Sequence, residues 1–376
     1  MKKTLLATAA LAGATLMATP AHAALKMSLG GYFYGYGIYA DNHPAAGTAL
    51  AKYEFTRYSE LHVNGETTLD NGLTVGAHYE LFIADFAAGG NGTIVDHAYI
   101  YGSGNWGRAN FGDHYGAGYL LQVAAPSADS NIDGLHVYVQ DLDTAAWNAK
   151  LAGLVLDYHL SDFTHTDRLT YLTPKFNGFQ AGISYAPYPT AASVGSSVAA
   201  PVKTNVAGHF KNPWEIAARW NGVYQGAAMS LGAGYSYAAA ENSAGAGAGN
   251  AGSDAMKSYD FGANIAKQGF SLGGAYKHSN NGISGAANGA DTAIYDIGAG
   301  YDTGPYHAAL SYFHEKFDGG LLAATPNGAS VHRYTLGGGY TVMPGMDVRG
   351  TVSCGQYRGT ANTDFQQVTI GTNINF

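Results

Sequence analysis

Four aspartates lie in one stretch of the chain that contains no lysine or arginine before Lys150: Asp129, Asp133, Asp141 and Asp143. Carboxylates without basic partners create a region of fixed negative charge, and such a region attracts cations and repels anions. The chemistry that this segment indicates is therefore electrostatic selection.

No residue set in the sequence has the spacing of a catalytic site. The chain contains neither a Gly-x-Ser-x-Gly elbow nor a His-Glu-x-x-His motif. Residues 102–107 and 247–252 match Gly-x-Gly-x-x-Gly, but neither segment links a strand to a helix, so both are chance matches. The 14 histidines are scattered, with His159 and His165 as the nearest approach to a pair. We predict no enzymatic activity, no catalytic residue and no metal site.

Composition restricts the partners and the compartment. The chain has 376 residues, of which 53 are glycine, 12% are charged and a single one is cysteine. One cysteine excludes a disulfide framework. The formal net charge is −8. It becomes −10 when Lys2 and Lys3, which belong to the N-terminal segment described next, are left out. Nucleic-acid binding needs basic surfaces, so this acidic balance argues against a nucleic-acid partner.

The first 23 residues have the pattern of a secretory signal peptide. Lys2 and Lys3 precede an apolar run, and Ala21-His22-Ala23 provides a small-residue cleavage site. We predict that residues 1–23 are removed and that residues 24–376 form a single β-barrel domain.

The predicted mature chain alternates between apolar and polar residues. In the segment 73–83 one parity is apolar, and the final segment repeats the pattern with Val368, Ile370, Ile374 and Phe376 against Thr369, Gly371, Asn373 and Asn375. A period of two indicates strands with one apolar and one polar face. Such strands suit a soluble sandwich or, with the faces reversed, a membrane barrel.

The number of strands and their connections favour the barrel. The pattern predicts about sixteen strands, near 25–40, 53–69, 73–86, 94–102, 107–114, 166–176, 179–187, 213–224, 227–239, 256–267, 270–279, 291–302, 306–317, 331–342, 347–358 and 364–376. Short turns such as Asn177-Gly178 alternate with long polar or glycine-rich stretches such as 241–254. This asymmetry is typical of a transmembrane barrel with both termini on the short-turn side. We therefore predict an all-β fold, a transmembrane antiparallel β-barrel.

The third long connection, at about 115–165, contains the four aspartates. A loop of this length in a compact domain is usually functional. A sixteen-stranded barrel encloses a water-filled lumen, and a loop folded into it would form a constriction lined by these carboxylates. A loop on the outer rim or against a neighbouring subunit is the alternative.

Several segments together resemble the trimeric general-diffusion porins of Gram-negative outer membranes. They are Leu29-Gly-Gly-Tyr-Phe-Tyr-Gly-Tyr, Ser59-Glu-Leu-His-Val-Asn-Gly-Glu with Asn71-Gly-Leu-Thr-Val, Ala98-Tyr-Ile-Tyr-Gly with Trp106-Gly-Arg-Ala-Asn-Phe-Gly, Arg168-Leu-Thr-Tyr-Leu-Thr-Pro-Lys-Phe-Asn-Gly-Phe, and the terminal Phe376. The resemblance covers the whole mature chain.

The resemblance implies a homotrimer in the outer membrane, in contact with lipid and lipopolysaccharide. It also implies that the third loop folds into the lumen, that small hydrophilic solutes pass by diffusion, and that Phe376 is the assembly signal. No cofactor is expected, and a loosely bound divalent cation such as calcium is left open.

In the family, arginines on the barrel wall face the acidic loop, and this chain departs from that pattern. Glu60 and Asp113 stand near positions where family members often carry arginine. Parity predicts a mixed lumen lining of Glu66, Glu80, His62, His78, Arg168, Arg219, Arg333 and Arg349. A weakened basic wall with an acidic loop predicts a preference for cations.

The tyrosines are predicted to form aromatic girdles on the lipid-facing parity near the strand ends, namely Tyr32, Tyr34, Tyr36, Tyr185, Tyr235, Tyr237, Tyr301 and Tyr340. Two alternatives to a general channel stay open. One is a substrate-selective channel for sugars or organic acids, and the other is an outer-membrane hydrolase.

Overall fold

Alternation of side chains produces sixteen strands in the computed structural model, which describes residues 24–42, 51–83, 95–127, 162–163, 166–189, 204–247, 251–285, 290–318, 328–359 and 363–376. The strands are β1 Lys26–Asp41, β2 Tyr53–Thr68, β3 Thr74–Phe82, β4 Val95–Gly104, β5 Gly107–Asp113, β6 Asp167–Leu172, β7 Phe179–Tyr185, β8 Phe210–Tyr224, β9 Ala227–Ala240, β10 Met256–Lys267, β11 Phe270–Ser279, β12 Thr292–Thr303, β13 Tyr306–Phe317, β14 Ala329–Met343, β15 Met346–Arg358 and β16 Thr363–Asn375. The described residues also include two short helices, α1 Ala117–Leu121 and α2 Ser243–Ala246.

The strands form one closed antiparallel meander. Each strand pairs with its neighbours in the chain, and β16 pairs with β1 to close the barrel. At the seam, Phe376 and Gly31 exchange two backbone hydrogen bonds of 2.9 and 3.0 Å. Closure leaves no unpaired edge, as a sheet in hydrocarbon requires. The predicted membrane barrel is confirmed.

The outer face is apolar and the inner face polar. On the outside, Leu272, Leu336 and Ile370 are exposed by 57%, 60% and 67%. On the inside, Thr335 and Thr369 are buried. This arrangement reverses that of a soluble domain and matches a wall between lipid and an aqueous lumen. Within the described ranges, no helix is long and apolar enough to cross a membrane.

Short turns close the hairpins at the end that carries both termini, and several of them have two residues. Both central residues have positive φ at Asn177-Gly178, with φ of 48° and 81°, and at Gln225-Gly226, with φ of 49° and 76°. This conformation matches the right-handed twist of the flanking strands.

Three strands depart from the predicted bounds by three residues or more. β3 ends at Phe82 instead of near 86, β6 ends at Leu172 instead of near 176, and β8 begins at Phe210, before the predicted 213. β8 contains Pro213, which lacks an N–H for the ladder. The register shifts between Lys211 and Trp214, with Asn212 at φ 52°, so the proline sits in a bulge.

The girdle prediction is right for five tyrosines and wrong for three. Tyr185, Tyr301 and Tyr340 are exposed on the outer face, and Tyr235 and Tyr237 share the parity of exposed Leu231. Tyr32, Tyr34 and Tyr36 are instead buried at 8%, 3% and 2% exposure on the inner side. The sequence of β1 does not indicate which face of the strand is outward, because glycine occupies the alternate positions 35 and 37.

Candidate functional site: the constricted lumen

The beginning of the third loop lies inside the barrel. Residues 116–127, here called the inner strap, include α1 and run along the inner wall. Ala117 and Leu121 of α1 pack against Ala217 of β8 and Leu172 of β6. The strap narrows the lumen, which confirms the predicted inward fold for this part of the loop.

Glycines on the inner wall make room for the strap. A Cβ on Gly232 of β9 would lie 2.8 Å from Val123, and one on Gly262 of β10 would lie 2.0 Å from the Val123 carbonyl oxygen. A Cβ on Gly298 of β12 would lie 1.7 Å from the Pro126 carbonyl oxygen. These distances are far below van der Waals contact, so the strap follows a track that only glycine permits.

A buried ion pair attaches the strap to the wall. Arg168 of β6 donates from Nη1 to Glu215 Oε1 of β8 at 2.8 Å, and both side chains are 5% exposed or less. The backbone N–H of Gly118 donates to Glu215 Oε2 at 2.9 Å. Arg168 thus neutralises Glu215 and positions α1.

Two other basic side chains form a hydrogen bond or an ion pair in the same region. Arg219 Nη1 donates to the Gln122 carbonyl oxygen of the strap at 3.3 Å. Lys277 of β11 forms a 3.0 Å ion pair with Asp162, from the far end of the third loop. Burial, with the nearby Arg168 as a smaller cause, lowers the pKa of His114 to about 3, so this histidine adds no charge at neutral pH. Basic groups on this side of the lumen serve attachment as well as lining.

The neighbouring part of the inner wall, on β2–β5, carries a second cluster of carboxylates and histidines, some partly exposed and others buried. We call it the acidic–histidine wall, and its residues are Glu60, His62, His78, Glu80, Asp96, His97 and Asp113. It is built by the inward parity of β2 and β3, where His62 pairs directly with Glu80. Short contacts join neighbours: His62 Nε2 lies 3.0 Å from Glu60 Oε2, and His78 Nε2 lies 2.7 Å from Glu80 Oε1.

Asp96 and His97 enter this wall through an irregularity in β4. Glu80 pairs with His97 whereas Leu81 pairs with Val95, which leaves Asp96 as an extra residue. His97 Nδ1 lies 3.5 Å from Asp113 Oδ1, and His97 Nε2 lies 3.8 Å from Asp96 Oδ2. The parity of the exposed Ile100 could have revealed His97, but a bulge has no signal in the residue alternation, so Asp96 was missed.

The remaining predicted lining residues occupy separate places. Glu66 accepts a 2.7 Å hydrogen bond from the Tyr101 hydroxyl. The buried Arg333 lies 5.3 Å from the centre of the Phe313 ring. Arg349 lies near the short-turn end, 3.5 Å from Asp347. The structure therefore brings Glu60, His62, His78 and Glu80 together and joins Asp113 to them through His97. Arg168 lies on the strand next to Asp113 but pairs with Glu215, and Arg219, Arg333 and Arg349 lie on β8, β14 and β15.

Some predicted positions lie outside the described residues. They are the signal peptide 1–23, the paired histidines His159 and His165, and the four loop aspartates Asp129, Asp133, Asp141 and Asp143. Phe376 is described, and its ring is 64% exposed next to the closing seam.

Comparison with known proteins agrees with the architecture. A family model described as "Gram-negative porin" matches residues 7–361. No curated protein matches the sequence. Solved structures match along nearly the whole chain, with identities that are low enough to establish the fold alone.

Three such structures illustrate the likeness. The anion-selective porin from Comamonas acidovorans has a TM-score of 0.58 and 16% identity, covering 94% of this chain and 100% of its own. A loop-deletion mutant of OmpT, an outer membrane protein of Vibrio cholerae, has a TM-score of 0.60 and 12% identity, with coverage of 94% and 100%. A triple mutant of the Rhodopseudomonas blastica porin has a TM-score of 0.55 and 19% identity, with coverage of 93% and 100%.

Proposed function

The chain belongs to the Gram-negative porin family of outer-membrane channels, and from this premise we propose that it passes ions and small hydrophilic solutes by diffusion, with a preference for cations. The observation that carries the preference is the difference in exposure between Glu80 and Arg168. Glu80 of the acidic–histidine wall keeps 19% of its side chain exposed, whereas Arg168 is buried in its pair with Glu215. Fixed carboxylates in a narrowed lumen raise the local concentration of cations.

The fold does not decide the sign of this selectivity. The Comamonas structure has the same architecture and is described as anion-selective. Selectivity depends on which charges reach the water in the lumen, so the proposal for this chain rests on its own lining. The loop aspartates Asp129, Asp133, Asp141 and Asp143 would add to the negative potential if they lie at the constriction.

The test is the reversal potential of single channels in a planar bilayer under a KCl gradient, with a chelator present. We expect ohmic steps and a reversal potential on the cation side. A reversal potential that favours chloride would overturn the preference and keep the channel. The absence of steps from correctly folded protein would overturn the channel itself.

We also propose that three copies assemble in the outer membrane among lipid and lipopolysaccharide. The resemblance to trimeric porins supports the trimer. Outward basic side chains at the long-loop end, such as the exposed Lys316 and Arg358, support contact with anionic headgroups. Conductance steps in groups of three and a native mass of three chains would be the expected result, and a monomer with single steps would contradict it.

Among the described residues, no specific group supports either alternative function. A sugar track needs accessible aromatic faces, and the inward Tyr32, Tyr34 and Tyr36 are buried. We propose that the chain has no enzymatic activity. Hydrolysis of phospholipid or peptide by the purified protein would contradict this, and saturable block of current by one solute class would favour a substrate-selective channel.

A further inference from the structure

Two histidines and a glutamate on the acidic–histidine wall form a cluster with the spacing of a metal site. One ligand atom each from His62, His78 and Glu80 lies within 4.8 Å of the other two. Bonds of about 2.1 Å in a tetrahedron place ligand atoms about 3.4 Å apart, so a bound ion needs only small side-chain movements. All three residues come from adjacent positions of the β2–β3 ladder, which holds them together rigidly.

The contacts of His78 place a polar side-chain atom beside each of its ring nitrogens. Nδ1 lies 2.5 Å from Asn64 Oδ1, and Nε2 lies 2.7 Å from Glu80 Oε1. A neutral imidazole has one N–H and can donate to one of these two oxygens. The other contact places a nitrogen lone pair against an oxygen, and it becomes favourable when a second proton or a metal ion lies between them.

The groups around the cluster are placed to orient both rings. When Nδ1–H of His78 donates to Asn64, its Nε2 is left as the ligand nitrogen beside Glu80. His62 donates to Glu60 through Nε2, 3.0 Å from Oε2, which leaves its Nδ1 for the metal. Tyr58 donates to the other oxygen of Glu60 at 2.7 Å and fixes that carboxylate. Ligating histidines are held in this way by carboxylate or amide oxygens in known metal centres.

We propose that His62, His78 and Glu80 bind a divalent transition-metal ion, of which Zn²⁺ is the probe, on the lumen wall. Two imidazoles and one carboxylate match borderline-soft cations, whereas Ca²⁺ and Mg²⁺ prefer sites made of oxygen. Three protein ligands leave a fourth coordination position, which water or a passing solute would complete. The side chains of His62 and His78 are 26% and 12% exposed, which gives the ion access from the lumen.

A bound ion would change the channel in two ways. It would add two positive charges to the wall that attracts cations, and it would occupy part of the narrowed lumen. Micromolar Zn²⁺ is therefore expected to reduce single-channel conductance and cation preference, an effect that rests on the proposed channel function. Binding itself does not depend on that function, so the two are measured separately.

The first measurement is calorimetric titration of folded, detergent-solubilised protein with Zn²⁺ near pH 7.5, followed by Ca²⁺ and Mg²⁺. We expect one site of higher affinity for Zn²⁺, which His78→Ala and Glu80→Gln each weaken strongly. Asn64→Ala removes only the acceptor that orients His78 and should weaken binding by about 10–100-fold.

His307→Ala is the matched control. His307 also lies close to a carboxylate, 2.6 Å from Asp302 Oδ1, but it lies at the short-turn end away from the cluster. This variant should bind Zn²⁺ like the parent chain and conduct normally.

Three results would overturn the site. Equal binding of Ca²⁺ and Zn²⁺ would assign the cluster to general electrostatic attraction. Unchanged Zn²⁺ affinity in His78→Ala would place the ion elsewhere, and loss in His314→Ala would place it at the His314–His332 pair, whose Nδ1 atoms are 3.0 Å apart on the outer face. Zn²⁺ binding without any change in current would keep the site and reject its effect on the channel.

Discussion

The inner wall carries charged side chains on β2–β5 and again on β6–β12, and the two groups differ in exposure and in partners. On β6–β12, Arg168 and Glu215 are buried together and hold α1 against the wall. On β2–β5, Glu60 and His97 are buried as well, but Glu80 and His62 remain partly open to the lumen. Charge is used for attachment on one side and for interaction with the contents of the lumen on the other. Facing the lumen is therefore not enough to make a residue a determinant of selectivity.

The largest effect on stability should come from removing the ion pair between Arg168 and Glu215. Arg168→Ala leaves Glu215 buried without its cation, a change that typically costs about 3–5 kcal/mol. We expect low yield of folded barrel and a reduced unfolding temperature. The matched change on the open side, His78→Ala, should leave thermal stability nearly unchanged. Equal stability losses in the two variants would remove the distinction between the two sides.

A charge placed on the outer face gives a reference value for the free-energy cost of an unpaired charge. Ile370 is 67% exposed on the lipid side of β16, and Ile370→Lys near the bilayer midplane should cost about 2–4 kcal/mol. Measurement of unfolding in lipid vesicles would compare this cost with that of Arg168→Ala. Gln366→Lys, also on the outer face but at the long-loop end, is the control and should cost less. Equal costs would contradict the assigned depth of Ile370.

Displacing the strap should separate attachment from selectivity. A side chain at position 298 would overlap the Pro126 carbonyl oxygen, so Gly298→Val should move the strap out of its track. Overpacking of this kind costs about 1–3 kcal/mol, and a strap pushed away from the wall toward the barrel axis should lower single-channel conductance. Gly300→Ala on the same strand is the control, because its Cβ would meet the movable Ser271 side chain. Unchanged conductance in Gly298→Val would show that the strap does not narrow the pathway.

The smallest effect on stability, and a clear one on selectivity, is expected on the open side. Glu80→Gln removes one carboxylate from the lumen while keeping its shape. The reversal potential should move toward zero in chelator-containing KCl, with an unfolding temperature close to that of the parent chain. Asp302→Asn, at the short-turn end, should leave the reversal potential unchanged. A shift in Asp302→Asn as large as in Glu80→Gln would assign selectivity to the overall charge of the barrel.

Much of the fold follows from the sequence, because alternating apolar and polar residues indicate the lipid-facing and lumen-facing sides of each strand. The parity of Val368 and Ile370 against Thr369 assigned the lipid face of β16 correctly. The same rule failed where glycine occupies the alternate positions, as in β1, and where a bulge interrupts the count, as at Asp96. Parity depends on an unbroken register, and one extra residue reverses every later assignment.

The site was predictable in its location and less so in its contacts. Parity predicted that Arg168, Glu80 and His78 point inward, and the structure places them there. The partner of Arg168 is Glu215, which is 47 residues away in sequence. No local pattern connects two strands across such a separation, so the change of Arg168 from a lining residue to an anchor appears only in three dimensions.

The glycine track also has a consequence for the order of folding. Pro126 meets Gly298 across a separation of 172 residues (298 − 126), and the track exists only after β9 to β12 have paired. Contacts between residues so far apart in the chain are slow to form. The strap therefore cannot take its place before these strands have paired, and this part of the wall is assembled before the strap covers it. Seating of the strap is the step that narrows the lumen of the finished channel.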